Sequence, residues 1–236
     1  MNPRSTRTGL AVLAAGASLL LLTACGGGEA KDSSDKAKGA DKVAEVTDVM
    51  LDAALLKAAD LGEGWKDAAS LDTGTAAGGT VKPEQCRAIG GMVSADGKAA
   101  GARAIRAGHL TTETGGAVSP AVYAFEDGGA AKLMADFDKK ITDCATYELN
   151  APGGAGTVKM TTAAATAPTV AGADQVVAFK ATMDIGMKFG LDVVLIRKGD
   201  AIAQVGVMDS GSGTSKAEDL AKGVAKAGEK LVAAVK

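Results

Sequence analysis

The stretch Gln175-Val176-Val177-Ala178-Phe179-Lys180-Ala181-Thr182-Met183-Asp184-Ile185-Gly186-Met187-Lys188-Phe189-Gly190-Leu191-Asp192-Val193-Val194-Leu195-Ile196-Arg197-Lys198-Gly199-Asp200-Ala201-Ile202-Ala203-Gln204-Val205-Gly206-Val207-Met208 decides the fold. Over 175–185, Val177, Phe179, Ala181, Met183 and Ile185 alternate with Val176, Ala178, Lys180, Thr182 and Asp184. The same period of two runs through Phe189, Leu191, Val193 and Leu195, then through Ala201, Ala203, Val205 and Val207. Successive side chains of a strand point to opposite faces, so each run reads as a strand. Gly186-Met187 and Lys198-Gly199-Asp200 leave room only for turns. Three strands joined this tightly form an antiparallel meander. One mostly apolar set per run predicts a sheet covered on one side and open on the other.

Upstream, strands are expected over 102–112, 118–126 and 157–166, giving a sheet of about five to six strands. Pro120 within 118–126 favours an edge or a bulge. Helical spacing appears over 50–61, over 83–89, over 127–144 with Leu133, Met134, Phe137, Ile141 and Cys144 on one face, and beyond Ser215 with Leu220, Val224, Ala227, Leu231 and Val235. Asp127 is placed to cap the third helix, and Ser215-Lys216-Ala217-Glu218 is a capping box for the last. Trp65 reads either as a cover on the core or as an aromatic platform for a ligand. Helices and hairpin strands are segregated, so the class is α+β, with an antiparallel sheet flanked by helices.

The N-terminus says where such a domain works. Leu22-Thr23-Ala24-Cys25 resembles a bacterial lipoprotein signal box. It follows a positive region with Arg4 and Arg7 and an apolar run, residues 10–22, too short to span a bilayer. The resemblance implies cleavage before Cys25 and a diacylglycerol on its thiol, a two-chain anchor that holds firmly. A soluble secreted protein cut near Ala24 is the other reading. Residues 1–24 are then signal peptide, 25–48 the lipidated cysteine and a charged tether without apolar periodicity, and 49–236 the domain. The expected location is the extracytoplasmic face of the cell membrane.

Losing Arg4 and Arg7 takes the formal charge from -2 to -4, which disfavours nucleic acid as a partner. Outside the membrane, Cys86 and Cys144 are expected to form a disulfide, with two free thiols as the alternative. Two cysteines and His109 at wide spacing make no metal set, and no cofactor motif is present. His109 lies in a strand run between Gly108 and Leu110, with no nucleophile elbow elsewhere. The expectation is therefore a protein that is not an enzyme.

Leu55-Leu56-Lys57-Ala58-Ala59-Asp60-Leu61-Gly62-Glu63-Gly64-Trp65, then Cys86 on a short helix, paired strands through Tyr123 and Phe125, the 127–144 helix and the closing meander plus helix follow a familiar order. Over residues 50–236 the chain resembles the extracellular sensor-like domain of the mycobacterial serine/threonine kinase PknH, a type that also occurs as free-standing actinobacterial lipoproteins. The resemblance implies an antiparallel sheet flanked by helices, with a cleft that accepts a ligand. The kinase version carries two disulfides, and this chain can form one. With no kinase in the sequence, a sensing role implies a membrane protein partner.

Binding is the function these readings leave: a membrane-anchored, non-catalytic domain for a small molecule or envelope component. Tyr123, Lys180, Asp184 and Gln204 are the candidates to line the open sheet face; each also reads as an ordinary solvated sheet residue. A lipid carrier or chaperone with an apolar cavity, and an unrecognised envelope hydrolase, are the competing readings.

Overall fold

The computed structural model describes residues 45–68, 80–150, 156–209 and 216–235. In chain order they form α1 (Asp48–Ala54), α2 (Ala58–Leu61), β1 (Trp65–Ala68), β2 (Thr80–Lys82), a 3-10 turn (Glu84–Cys86) leading into α3 (Arg87–Val93), α4 (Gly97–Ala100), β3 (Ala104–Ala107), β4 (His109–Thr112), β5 (Ala117–Ala124), α5 (Gly129–Ala135), α6 (Phe137–Asp143), β6 (Thr146–Asn150), β7 (Thr157–Ala165), β8 (Gln175–Asp184), β9 (Lys188–Lys198), β10 (Ala201–Asp209) and α7 (Lys216–Ala234). The mixed α and β class, the antiparallel meander β8-β9-β10 and the single disulfide agree with the sequence. Cys86 and Cys144 are bonded, with their Cα atoms 5.5 Å apart.

Among the described residues the sheet has ten strands, in the order β1-β4-β5-β10-β9-β8-β7-β6-β2, with β3 also paired to β5. The expected five to six is corrected upward for two reasons. β1, β2 and β6 are only three to five residues long, too short to show a period against their neighbours. The expected strand 102–112 is divided into β3 and β4 at Gly108, whose N–H donates to the Pro120 carbonyl at 2.9 Å. The register runs on unbroken, from Ala107 opposite Ala121 to Leu110 opposite Val118, so there is no bulge. Proline has no N–H to return to Gly108, and the ladder lapses for that one position. Pro120 thus sits in an interior strand, between β4 and β10, rather than at an edge.

Both faces of the sheet carry helices, which corrects the expected one-sided cover. On one face Tyr123, Phe179, Val193, Leu195 and Ile202 form a core with Ile89, Met92, Leu133, Met134, Phe137 and Ile141 of α3, α5 and α6. On the other, Val118, Val122, Val194, Ile196 and Val205 pack against Leu51, Leu61, Val224, Ala227 and Leu231 of α1, α2 and α7.

The packed structure begins ahead of residue 49. Val46 is buried, and Arg103 reaches back to donate to its carbonyl. Thr47 caps α1 by accepting the Met50 N–H at 3.3 Å. Asp127 does not cap the next helix. Asp200, on the β9–β10 turn, instead holds its N-terminal residue Gly128 by accepting that N–H at 2.9 Å. The expected helix 127–144 is two helices that meet at Asp136. Ser215, the first residue of the last capping box, lies outside the described residues.

Candidate binding face

Strand parity divides the four expected ligand residues between the two faces. Ala201 stands opposite Lys198 across the β9–β10 turn, so Gln204 falls opposite Leu195 and shares its face. Tyr123, opposite Ile202, is on that same face. Both are buried beneath the α3–α6 layer, at 0% and 3% exposure. The Tyr123 hydroxyl donates to Gln204 Oε1 at 3.1 Å, closing a polar pair inside the core. Burial pushes the Tyr123 phenol far above its ordinary pKa, and Asp96 adds to the effect. Tyr123 and Gln204 therefore lie inside the core and not on the open sheet face where they were expected.

Lys180 and Asp184 lie on the opposite face and are exposed. Lys180 Nζ is 3.7 Å from Asp192 Oδ1 across to β9. Asp184 Oδ1 accepts the Gly186 N–H at 3.1 Å and fixes the β8–β9 turn. The register extends this polar surface over five strands. Lys82, Glu148, Lys159, Asp184 and Lys188 stand successively opposite one another, all exposed and alternating in sign. One row away, Thr146, Thr161 and Thr182 are aligned in the same manner. On the other side Asn150 Nδ2 donates to Thr80 Oγ1 at 3.2 Å, and Thr157 Oγ1 donates to Asn150 Oδ1 at 2.6 Å. Cross-strand pairs of opposite charge each stabilise a sheet by a few tenths of a kcal/mol up to about 1 kcal/mol. What the arrangement offers a ligand is a regular field of hydroxyls and paired charges. The row spans strands far apart in sequence, so only the register assembles it.

His109 sits opposite Ser119 in register, with Nδ1 3.2 Å from the serine oxygen. Burial holds its pKa below the ordinary value of 6.5. The unfolded chain then takes up the proton first as pH falls. His109 is expected to contribute its full stability above pH 6.5 and to lose it progressively as pH drops below that value. His109→Gln should flatten the stability profile in that window, as read by urea midpoints across pH. A second loss belongs at lower pH. For Asp60 and Asp174 burial acts to raise the pKa but is outweighed by hydrogen bonds and positive charge, from Lys230 and the Lys57 N–H for Asp60 and from Gly199, Lys198 and Arg197 for Asp174. Their stabilisation is present above about 3.8 and disappears as pH falls through their lowered values.

The Tyr147 hydroxyl is buried and has no hydrogen-bond partner among the described residues. A buried donor left unsatisfied costs about 1–3 kcal/mol. Tyr147→Phe is therefore expected to leave stability unchanged or raise it by up to about 1 kcal/mol; a loss in chemical denaturation would show that the hydroxyl is satisfied in solution. Among the described residues no group of three or more His, Cys, Asp or Glu could hold a metal ion. No helix among them is long and apolar enough to cross a membrane. Cys25 lies outside the described residues.

No protein-family model matches the chain, and no curated protein does. Solved structures do. The extracellular domain of PknH from Mycobacterium tuberculosis superposes with a TM-score of 0.53 at 17% identity, covering 80% of this chain and 100% of that one. The chain has a PknH-like fold. A protein of Mycobacterium smegmatis aligns at a TM-score of 0.38 and 11% identity over 74% of this chain and 90% of that one, too far to carry an argument. The likeness to PknH is one of architecture. At this identity it transfers no ligand residues, so Lys180 and Asp184 stand as candidates on their position alone.

Proposed function

We propose that the chain is a lipid-anchored, extracytoplasmic domain that binds a small molecule or envelope component without transforming it. One observation carries the reading: one sheet face is exposed and largely polar over β2, β6, most of β7 and the Lys180–Lys188 end of the β8–β9 hairpin, while Val118, Val122, Ala178, Val194, Ile196 and Val205 of that face lie under α1, α2 and α7. The extracellular location of the PknH domain supports the same side of the membrane for this chain, and so does the Leu22–Cys25 box. Lys180 and Asp184 contact the ligand, and a sensing role passes through a membrane protein partner. Native mass spectrometry of the full lipid-bearing protein, extracted from its host in mild detergent, tests the reading. A co-purifying species should be retained by the unmutated protein and lost in the double variant Lys180→Glu, Asp184→Lys. An apolar lipid retained equally by both would instead make the protein a carrier. Cys25→Ser should move the protein from the detergent phase to the aqueous phase on partitioning.

A further inference from the structure

The end of the β8–β9 hairpin is apolar where a soluble turn is ordinarily polar. Ile185 and Met187 are 55% and 66% exposed. Behind them on the same face lie half-buried Met183, Phe189 and Leu191, with Met208 of β10 opposite Leu191. The tip is held in shape: Gly186 has a positive φ of 92°, Asp184 accepts its N–H, and the Ile185 N–H donates to the Met187 carbonyl at 3.2 Å. The other side of the hairpin and its neighbour carries Lys159, Lys180 and Lys188, with Asp184 and the Lys180-bound Asp192 among them. The hairpin end is thus amphipathic, with long cationic stems on the side away from the apolar tip.

Resting on the reading of Cys25 as the lipid anchor, we propose that Ile185 and Met187 insert into the surface of the bilayer that holds that anchor, so that the strands stand upright on the membrane. The chain length supplies the reach. Glu45 pairs with Arg103 at 3.6 Å, and the Arg103 N–H donates to Ala124, which is opposite Ala201. Glu45 is therefore at the β9–β10 turn end of the sheet, and the tip is at the other. The 11 residues of β9 put the two ends about 35 Å apart. Cys25 and Glu45 are 20 positions apart, a span of at most about 70 Å. Tip and anchor can therefore occupy one bilayer together, and the anchor keeps the tip at high effective concentration there.

The test uses the full lipid-bearing chain in phosphatidylcholine–phosphatidylglycerol vesicles with brominated acyl chains. Met187→Trp adds an indole to the signal of Trp65. The added emission should be mostly lost to bromine quenching, and amide exchange of residues 184–188 in the unmutated protein should slow when vesicles are present. Deleting 12 residues of the tether leaves a reach of under about 30 Å, which should abolish the quenching while the protein still floats with vesicles. Flotation with full emission and unchanged exchange overturns tip insertion alone. No flotation overturns the anchor and this proposal with it. Slow exchange that depends on protein concentration and not on vesicles overturns it in favour of a second copy covering the tip.

Discussion

Replacing both Cys86 and Cys144 with alanine is expected to lower the unfolding free energy by about 4 kcal/mol, and the melting temperature by roughly 8–16 °C. The bond closes a loop with a sequence separation of 58, and cross-linking so long a loop removes much of the freedom of the unfolded chain. Domains of this kind are stable by about 5–15 kcal/mol, so the bond represents a large share of the total. It also joins the short turn before α3 to the end of α6, two helices of one layer that are far apart in sequence. Both sulfurs belong to residues buried in the core, so the alanines leave small voids as well. Reducing the unmutated protein separates the two effects, because it opens the loop while keeping the sulfur volume. Urea unfolding with and without reductant measures it, and a shift under about 1 kcal/mol would show that the unfolded chain gains little freedom when the bond opens.

Phe137→Ala is expected to cost about 3–5 kcal/mol. Phe137 is the first residue of α6, fully buried, and its ring lies 5.5 Å from that of Phe179 on β8. The pair ties the α3–α6 layer to the middle of the sheet. With four Phe, two Tyr and one Trp in 236 residues, the core has few large pieces, and Met134, Ile141 and Leu195 of the same core cluster carry no ring. They can close only part of the void, and the unfilled remainder adds to the lost transfer energy. Phe137→Leu keeps most of the volume and should cost clearly less. Equal losses for the two variants in chemical denaturation would show that the ring pairing, rather than the volume, is what matters.

The meander was legible because its period of two persists over three long runs broken only by turn residues. The α6 face with Phe137 and Ile141 was legible from helical spacing in the same way, and the cysteine pair from compartment chemistry. The edge strands were not, since a three-residue strand such as β2 carries no period of its own. The hold of Asp200 on the start of α5 was hidden too, because it comes from 72 positions away. Of the four expected ligand residues, Lys180 and Asp184 proved exposed, and Tyr123 and Gln204 proved buried.

By itself the sequence determined the local elements: which runs are strands, where the turns fall, and which stripe of each helix is apolar. It could not say which face each stripe would cover. β10 turns Ala203 and Val205 toward α7, while β8 and β9 turn Phe179 and Val193 toward α6, because the Lys198–Ala201 turn fixes the register between them. That pairing sends Gln204 into the core, and the β8–β9 register puts Lys180 beside Asp192 on the other face, in solvent. Side-chain alternation is a property of a single strand, but the side on which it is buried is a property of its neighbours.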